Sequence, residues 1–396
     1  MALSRIGMAV DDAINRRSVR YLRKKGWRPR TIGLTGYGSV HSVHVLGRVL
    51  MADPTSPPDD EITPVGPINV AGEAKRGWRA FFTAQVGYLP VVVRAGDQEV
   101  HTTTDRGGYI DVIVRDHGLA PGWHDVTIEA RAAEPARARV LVVDPEVRAG
   151  IVSDVDDTIM VTMLPRALLA AWNTFVRHTN ARKAVPGMAE LYRTVLQDAP
   201  TAPVFYLSTG AWNVVPTLRG FMRQHGYPDG PMLMTDWGPT NTGLFRSGIE
   251  HKRTQLRNLM ITFPQIRWLL VGDDGQHDPM IYDDVAREHP RHVSAIAIRE
   301  LSPTEQVLSH GTPEAIEEPD PRRSANAEHG VPTVKGRDGY ELARELPELL
   351  VARRNERIAQ EEAERREAAE RQETPDRRQA ADGRQAAERR QAQRAR

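Results

Sequence analysis

Ile151-Val152-Ser153-Asp154-Val155-Asp156-Asp157-Thr158-Ile159 decides the reading of this chain. An apolar run ends in one carboxylate at Asp154, a second follows two residues later at Asp156, and a hydroxyl follows at Thr158. Strand alternation puts Asp154 and Asp156 on one side where the strand runs out, at the carboxyl edge of a sheet, the usual ligand site of open α/β folds. Oxygen-rich side chains converging there suit a hard divalent cation, magnesium (Mg2+) first among them. Taken alone, Asp-Asp-Thr is equally consistent with a strand end leading into a helix cap, because Asp and Thr are favoured at caps.

Three further stretches, in fixed order, decide between these readings. Val204-Phe-Tyr-Leu-Ser208-Thr209-Gly210 is an apolar strand ending in hydroxyls; His251-Lys252 opens a helical stretch; Trp268-Leu-Leu-Val-Gly272-Asp273-Asp274-Gly-Gln-His277-Asp278 is another strand ending in carboxylates. The set resembles the haloacid dehalogenase (HAD) superfamily of phosphohydrolases, with its Asp-x-Asp-x-Thr/Val, Ser/Thr, Lys and Gly-Asp-x-x-x-Asp signatures. More narrowly, Tyr206 to Asn213, Pro216 to Phe221, Pro228, His251-Lys252 and Gly272 to Tyr282 are similar to the App1-type phosphatidate phosphatase catalytic domain, a relative of the lipin domain. The resemblance covers about Val147 to Glu300.

It implies an α/β fold, a HAD-like Rossmannoid domain with a parallel sheet, and Mg2+-dependent hydrolysis of phosphatidate or a related phosphomonoester to diacylglycerol and phosphate. The implied nucleophile is Asp154, a carboxylate already ionised at neutral pH, which would form an aspartyl-phosphate and also bind the metal. Asp156 is implied as general acid and then general base, lending its backbone carbonyl to the metal. Ser208 is expected to bond a phosphate oxygen, with Thr209 as the alternative one position on. Lys252 would steady nucleophile and phosphoryl group as a point charge. Asp273 matches a metal ligand, and Asp278 either orients the metal's water or pairs with Lys252. The adjacent Asp274 leaves open which of the pair faces the metal. Thr158 and Gly210 complete the expected phosphate surroundings, and Asp157 carries no family role and reads as structural.

Two other functions compete: a HAD phosphatase for soluble substrates, and a catalytically silent lipid-binding or lipid-sensing module. Asp154, Asp156, Lys252 and Asp273 are all present, which favours catalysis over the silent module.

With 396 residues, 53 Lys and Arg against 52 Asp and Glu, and 40% hydrophobic residues, the chain has room for two modest cores. It has no cysteine, which excludes disulfides, thiolate zinc sites and cysteine nucleophiles. No apolar stretch approaches the roughly 20 residues of a membrane span and no secretory leader is apparent, so a cytoplasmic protein is expected, soluble or peripheral at the membrane.

Residues 1–33 are strongly basic, and Ile6, Val10, Ile14 and Val19 partly follow helical spacing. A basic N-terminal helix is expected, either lying on an anionic membrane surface or docked with its charged face solvated, and the docked form is favoured. Residues 34–146 read as an antiparallel β-sandwich domain of short strands broken by Gly and Pro, with Thr104-Asp105-Arg-Gly-Gly-Tyr109 similar to the turn of transthyretin-like sandwiches. Its histidines are scattered and assigned no chemistry. Residues 147–350 form the phosphatase domain, in which Leu164, Leu168, Trp172 and Phe175 share one face of a small lid helix that reads first as core packing. Residues 351–396 are a charged tail, helical or disordered. Nucleic acid is not an expected partner, since no recognisable module accompanies the basic residues.

Overall fold

The computed structural model describes residues 15–54, 84–161, 183–235, 248–275, 277–310, 330–360 and 362–366. The expectations for residues 1–14, the lid stripe at Trp172 and Phe175, and the tail beyond 366 lie outside them. The chain divides into two compact units, residues 1–344 and 345–396. In the second, residues 346–360 and 362–366 are helical.

Among the described residues of the first unit, helix α1 comes first and takes in residues 15–24. Gly26, at φ 87°, ends it: the Trp27 amide returns 3.1 Å to the Leu22 carbonyl, a reversal that only a residue tolerant of positive φ makes cheaply. The helical reading of residues 1–33 therefore fails at its end. Arg28–Gly33 is instead strand β1, paired antiparallel with the last six residues of β3 (Ser42–Ala52). Val19, Leu22 and Trp27 pack on the sheet core, while Arg16, Arg17, Arg20, Arg23, Lys24 and Lys25 face solvent.

Strands β2 (Gly36–Ser39), β4 (Pro90–Ala95), β5 (Gln98–Thr103), β6 (Tyr109–Arg115), β7 (Gly122–Ala130) and β8 (Ala136–Val143) complete an eight-stranded sheet. Its order is β1-β3-β2-β8-β7-β4-β5, with β6 on the other side of β3. It is antiparallel except where β2 runs parallel to β8, a departure from the expected all-antiparallel arrangement. A Cβ on Gly36 of β2 would sit 2.1 Å from the His44 carbonyl oxygen of β3 and 2.8 Å from the Val140 side chain of β8, so glycine lets both neighbours approach closely. The Thr104-to-Tyr109 turn is structural, with the Thr104 hydroxyl donating to the Val86 carbonyl at 2.8 Å and the Asp105 carboxylate accepting from the Tyr109 amide at 2.8 Å.

From Ala149 the chain alternates strand and helix. Strands β9 (Ala149–Asp154), β12 (Val204–Ala211), β13 (Met232–Thr235), β14 (Arg267–Asp273), β15 (Val293–Arg299) and β16 (Thr333–Gly336) form a wholly parallel sheet in the order β13-β12-β9-β14-β15-β16. In chain order this is 3-2-1-4-5-6, the doubly wound arrangement whose ligand crevice lies between the first and fourth strands. Helices α2 (Met188–Gln197), α3 (Val215–Gln224), α4 (Gly248–Thr262), α5 (Asp278–Glu288) and α6 (Pro303–His310) lie between successive strands, and α7 (Gly339–Leu342) follows the last. Two short strands, β10 (Met160–Val161) and β11 (Lys183–Ala184), pair antiparallel as a separate two-stranded sheet.

The two sheets share one core. Tyr37 of β2, Val143 of β8 and Val147 are buried with Phe205, Phe263 and Trp268 of the parallel-sheet region. Tyr37 meets Phe205 edge-on at 5.1 Å, and Phe205 meets Trp268 likewise at 5.6 Å. Tyr37→Ala is therefore expected to cost about 3–5 kcal/mol in urea denaturation. Both sheets should unfold in a single transition, monitored by tryptophan fluorescence and far-ultraviolet dichroism. Two separated transitions in the wild type would show the sheets to be independent.

Candidate active site

Asp154 ends β9 and Asp273 ends β14, neighbours in the sheet, so the fold delivers both carboxylates to the same crevice. Asp278 opens α5 and joins them because Gly272 has no side chain: a Cβ there would lie 2.6 Å from Asp278 Oδ2 and 2.8 Å from the Tyr282 ring. The three aspartates are buried and each offers an oxygen within 4.8 Å of the other two. Lys252, in the second turn of α4, donates to Asp154 Oδ1 at 2.6 Å and to Asp278 Oδ1 at 2.5 Å. The Thr158 hydroxyl stands 3.3 Å from both Asp154 Oδ2 and Asp273 Oδ2.

Burial raises the carboxyl of Asp154 well above the usual range, with Asp278 and Asp156 adding to the effect against the pull of Lys252. Asp273 is raised for the same reasons, burial first and then Asp278 and Asp154. Burial opposes charge on Lys252, but Asp154, Asp278 and Asp273 outweigh it and hold the ammonium above the ordinary lysine range. When all are ionised, three carboxylates around one ammonium leave a surplus of two negative charges in a buried space. Asp278 Oδ2 is also buried without a partner among the described residues. Carboxylate oxygens, surplus negative charge and an unmatched acceptor all fit a hard divalent cation.

The structure places the two members of each open pair differently. Asp273 faces the cluster and accepts from the Gly275 amide at 2.8 Å. The Asp274 carboxylate turns the other way and accepts from the Leu301 amide at 2.8 Å. Of the adjacent hydroxyls, Ser208 Oγ lies 3.0 Å from Asp156 Oδ2 and accepts from the Gly210 amide at 2.9 Å, whereas the Thr209 side chain rests against Gly248. Asp278 pairs with Lys252. The Asp156 side chain, expected among the metal ligands, is not one of the three clustered carboxylates; it is half-buried beside Ser208.

Three supporting residues were not singled out by sequence reasoning. Tyr192 of α2 shares a 2.6 Å hydrogen bond with Ser153, whose hydroxyl donates to the Asp154 carbonyl at 2.6 Å. The Tyr227 hydroxyl donates to the Ile159 carbonyl at 2.7 Å. Arg299, at the end of β15, donates to the Asp157 carbonyl at 2.6 Å. The one available signal was a charged residue ending the apolar run Val293 to Ile298.

Residues 149–300 match the family model for the catalytic domain of phosphatidate phosphatase APP1. Phosphatidate phosphatase APP1 of Saccharomyces cerevisiae is 27% identical over 151 residues, and an uncharacterized protein of Schizosaccharomyces pombe is 25% identical over 160. Each alignment takes in 38% of this chain and 25% of the relative, so the chain spans about a quarter of the length of these curated proteins. Among solved structures, a carbohydrate acetylesterase from Xanthomonas citri covers 80% of this chain and 71% of its own at 8% identity and a TM-score of 0.31, too slight a likeness to bear on the fold. Among the described residues no helix is long and apolar enough to cross a membrane. The carboxylate cluster thus lies within the segment, residues 149–300, that matches the App1-type catalytic domain.

Proposed function

We propose that this domain is a Mg2+-dependent phosphatase on a HAD-like framework, hydrolysing phosphatidate or a related phosphomonoester to diacylglycerol and phosphate. The observation that carries the reading is the lysine-linked carboxylate trio at the crevice of the parallel sheet, with Asp156 beside it.

Asp154 is the nucleophile. Lys252 holds its Oδ1 in place, and attack on phosphorus forms an aspartyl-phosphate as the diacylglycerol oxygen departs. That oxygen is a poor leaving group and needs a proton, which Asp156 supplies; Asp156 then takes a proton from the water that cleaves the acyl phosphate. The Ser208 hydroxyl fixes the Asp156 rotamer and steadies its ionised form between the two half-reactions. The Ser208 and Gly210 neighbourhood and Thr158 face the phosphate oxygens, and Lys252 spreads its charge over nucleophile and phosphoryl group. Asp154, Asp273 and Asp278 would hold the metal, which when bound would offset repulsion between carboxylate and phosphate.

The exposed cations of α1 are proposed to rest against an anionic membrane, bringing the site to a lipid substrate. Each basic residue near such a surface contributes about 1 kcal/mol, so the triple reversal Arg16→Glu, Arg20→Glu, Arg23→Glu should weaken vesicle association more than about tenfold.

The test is phosphate release from phosphatidate vesicles and from glycerol 3-phosphate, with Mg2+ or with chelator. Mg2+-dependent turnover that is faster on vesicles, and is slowed there alone by the triple reversal, supports the reading. Equal turnover of both substrates would favour the soluble-substrate phosphatase.

A further inference from the structure

We propose that Arg299 is a positioning residue for the Asp154-to-Thr158 loop, acting through the Asp157 carbonyl; the proposal rests on the phosphatase reading above. Arg299 is the last residue of β15 and only 4% exposed. Its guanidinium makes three directed bonds: Nη1 to the Asp157 carbonyl at 2.6 Å, Nη2 to Glu305 Oε1 at 2.6 Å, and Nε to the Arg337 carbonyl at 3.2 Å. Its own carbonyl accepts from the Asp274 amide at 3.0 Å, and two residues on, the Leu301 amide reaches the Asp274 carboxylate. One strand end thus grips both carboxylate-bearing loops, the one after β9 and the one after β14.

The gripped residue is unusual. Asp157 sits at φ 60°, the left-handed region that side-chain-bearing residues seldom adopt, and is buried. It lies between Asp156, which reaches Ser208, and Thr158, which stands between Asp154 and Asp273. Rotation of its peptide would swing both neighbours away from their partners. Strain of this kind persists only where surrounding contacts over-determine it.

Stability alone is a weak reason for burying a guanidinium, since apolar replacements of buried ion pairs are often as stable. A planar fork supplies something else, namely several acceptors fixed in direction at once. Glu305 keeps the fork in register. Burial would raise its carboxyl, but the Arg299 guanidinium together with the amide and hydroxyl of Ser302 hold it below the ordinary range.

Arg299→Lys keeps the charge but has a single nitrogen, which cannot serve three divergent acceptors. Displacement of catalytic groups by an ångström costs about a hundredfold in rate. Arg299→Lys is therefore expected to lower kcat by up to about a hundredfold while KM stays within about twofold, because the loop positions reacting groups and does not bind the lipid. Arg299→Met should behave alike, with partial recovery in non-denaturing guanidinium. Should that variant fail to fold, Glu305→Gln tests the same contact and should give a smaller kcat loss. Unfolding midpoints are measured alongside. Unchanged kcat in Arg299→Lys with a lowered midpoint would assign a purely structural role and overturn the proposal, and so would a raised KM at unchanged kcat. A wild type inactive on every phosphomonoester sinks the phosphatase reading and this proposal together, whereas an active wild type with unimpaired Arg299→Lys sinks this one alone.

Discussion

Asp154→Asn is expected to lower phosphate release from phosphatidate by about 10⁴-fold or more, the scale seen when a nucleophile is removed from a working set. The amide keeps the shape of the carboxylate and still offers an oxygen to Lys252, so packing around β9 should be undisturbed. It cannot attack phosphorus to give a hydrolysable acyl phosphate. A second readout separates chemistry from folding. Without metal, Asp154, Asp273 and Asp278 repel one another in a buried space, and Asp154→Asn removes one of the three charges. The metal-free variant should therefore melt at or above the wild-type temperature. An inactive variant that melts far below wild type would point to collapse of the site, and substantial residual turnover would assign the nucleophile elsewhere.

Metal dependence gives the second large effect. Chelation is expected to abolish turnover, and saturating Mg2+ to stabilise the folded wild type by about 2.7 kcal/mol when present at a hundredfold its Kd, read as a rise in melting temperature. Asp273→Asn should lose most of that rise along with activity. Asp274→Asn should keep it, because the Asp274 carboxylate points to the Leu301 amide and an asparagine oxygen can accept the same bond. The reverse pattern, with the rise lost in Asp274→Asn and kept in Asp273→Asn, would overturn the assignment of Asp273.

The adjacent pair also shows where sequence reading stops. Alternation along a strand puts Asp273 and Asp274 on opposite sides, but which side faces the crevice depends on where pairing ends, and that is set by β15 and not by the local residues. Strands β9, β12, β14 and β15 were legible as apolar runs closed by polar residues. Strand β13, Met232-Leu-Met-Thr235, was not, because so short an unbranched apolar run does not identify itself as strand. β16 carries one large buried apolar side chain, Val334, and β5 is a polar edge strand, so neither shows a hydrophobic period. β1 was hidden in a run of arginines that reads as helix. Arg299 went unseen for a different reason: its backbone acceptors lie 142 and 38 residues away, and only the fold brings them together. What the sequence did carry was the pair of strand-ending carboxylates, Asp154 and Asp273, because each closes an apolar run whose local pattern announces its end.

The match to the App1 catalytic-domain model starts at residue 149, yet the aromatic cluster of Tyr37, Phe205, Phe263 and Trp268 straddles that line. A fragment cut there would carry the whole carboxylate cluster with Lys252 and still present an oily wound to water where Tyr37 and Val143 had been. The unit that evolution can recombine, and that a protein engineer can graft or shorten, is therefore larger than the unit that homology recognises. The flanking strands stand to the carboxylate-bearing sheet as masonry stands to an arch: Tyr37 and Val143 supply none of the clustered carboxylates, and they cover the aromatic face beneath the strands that do.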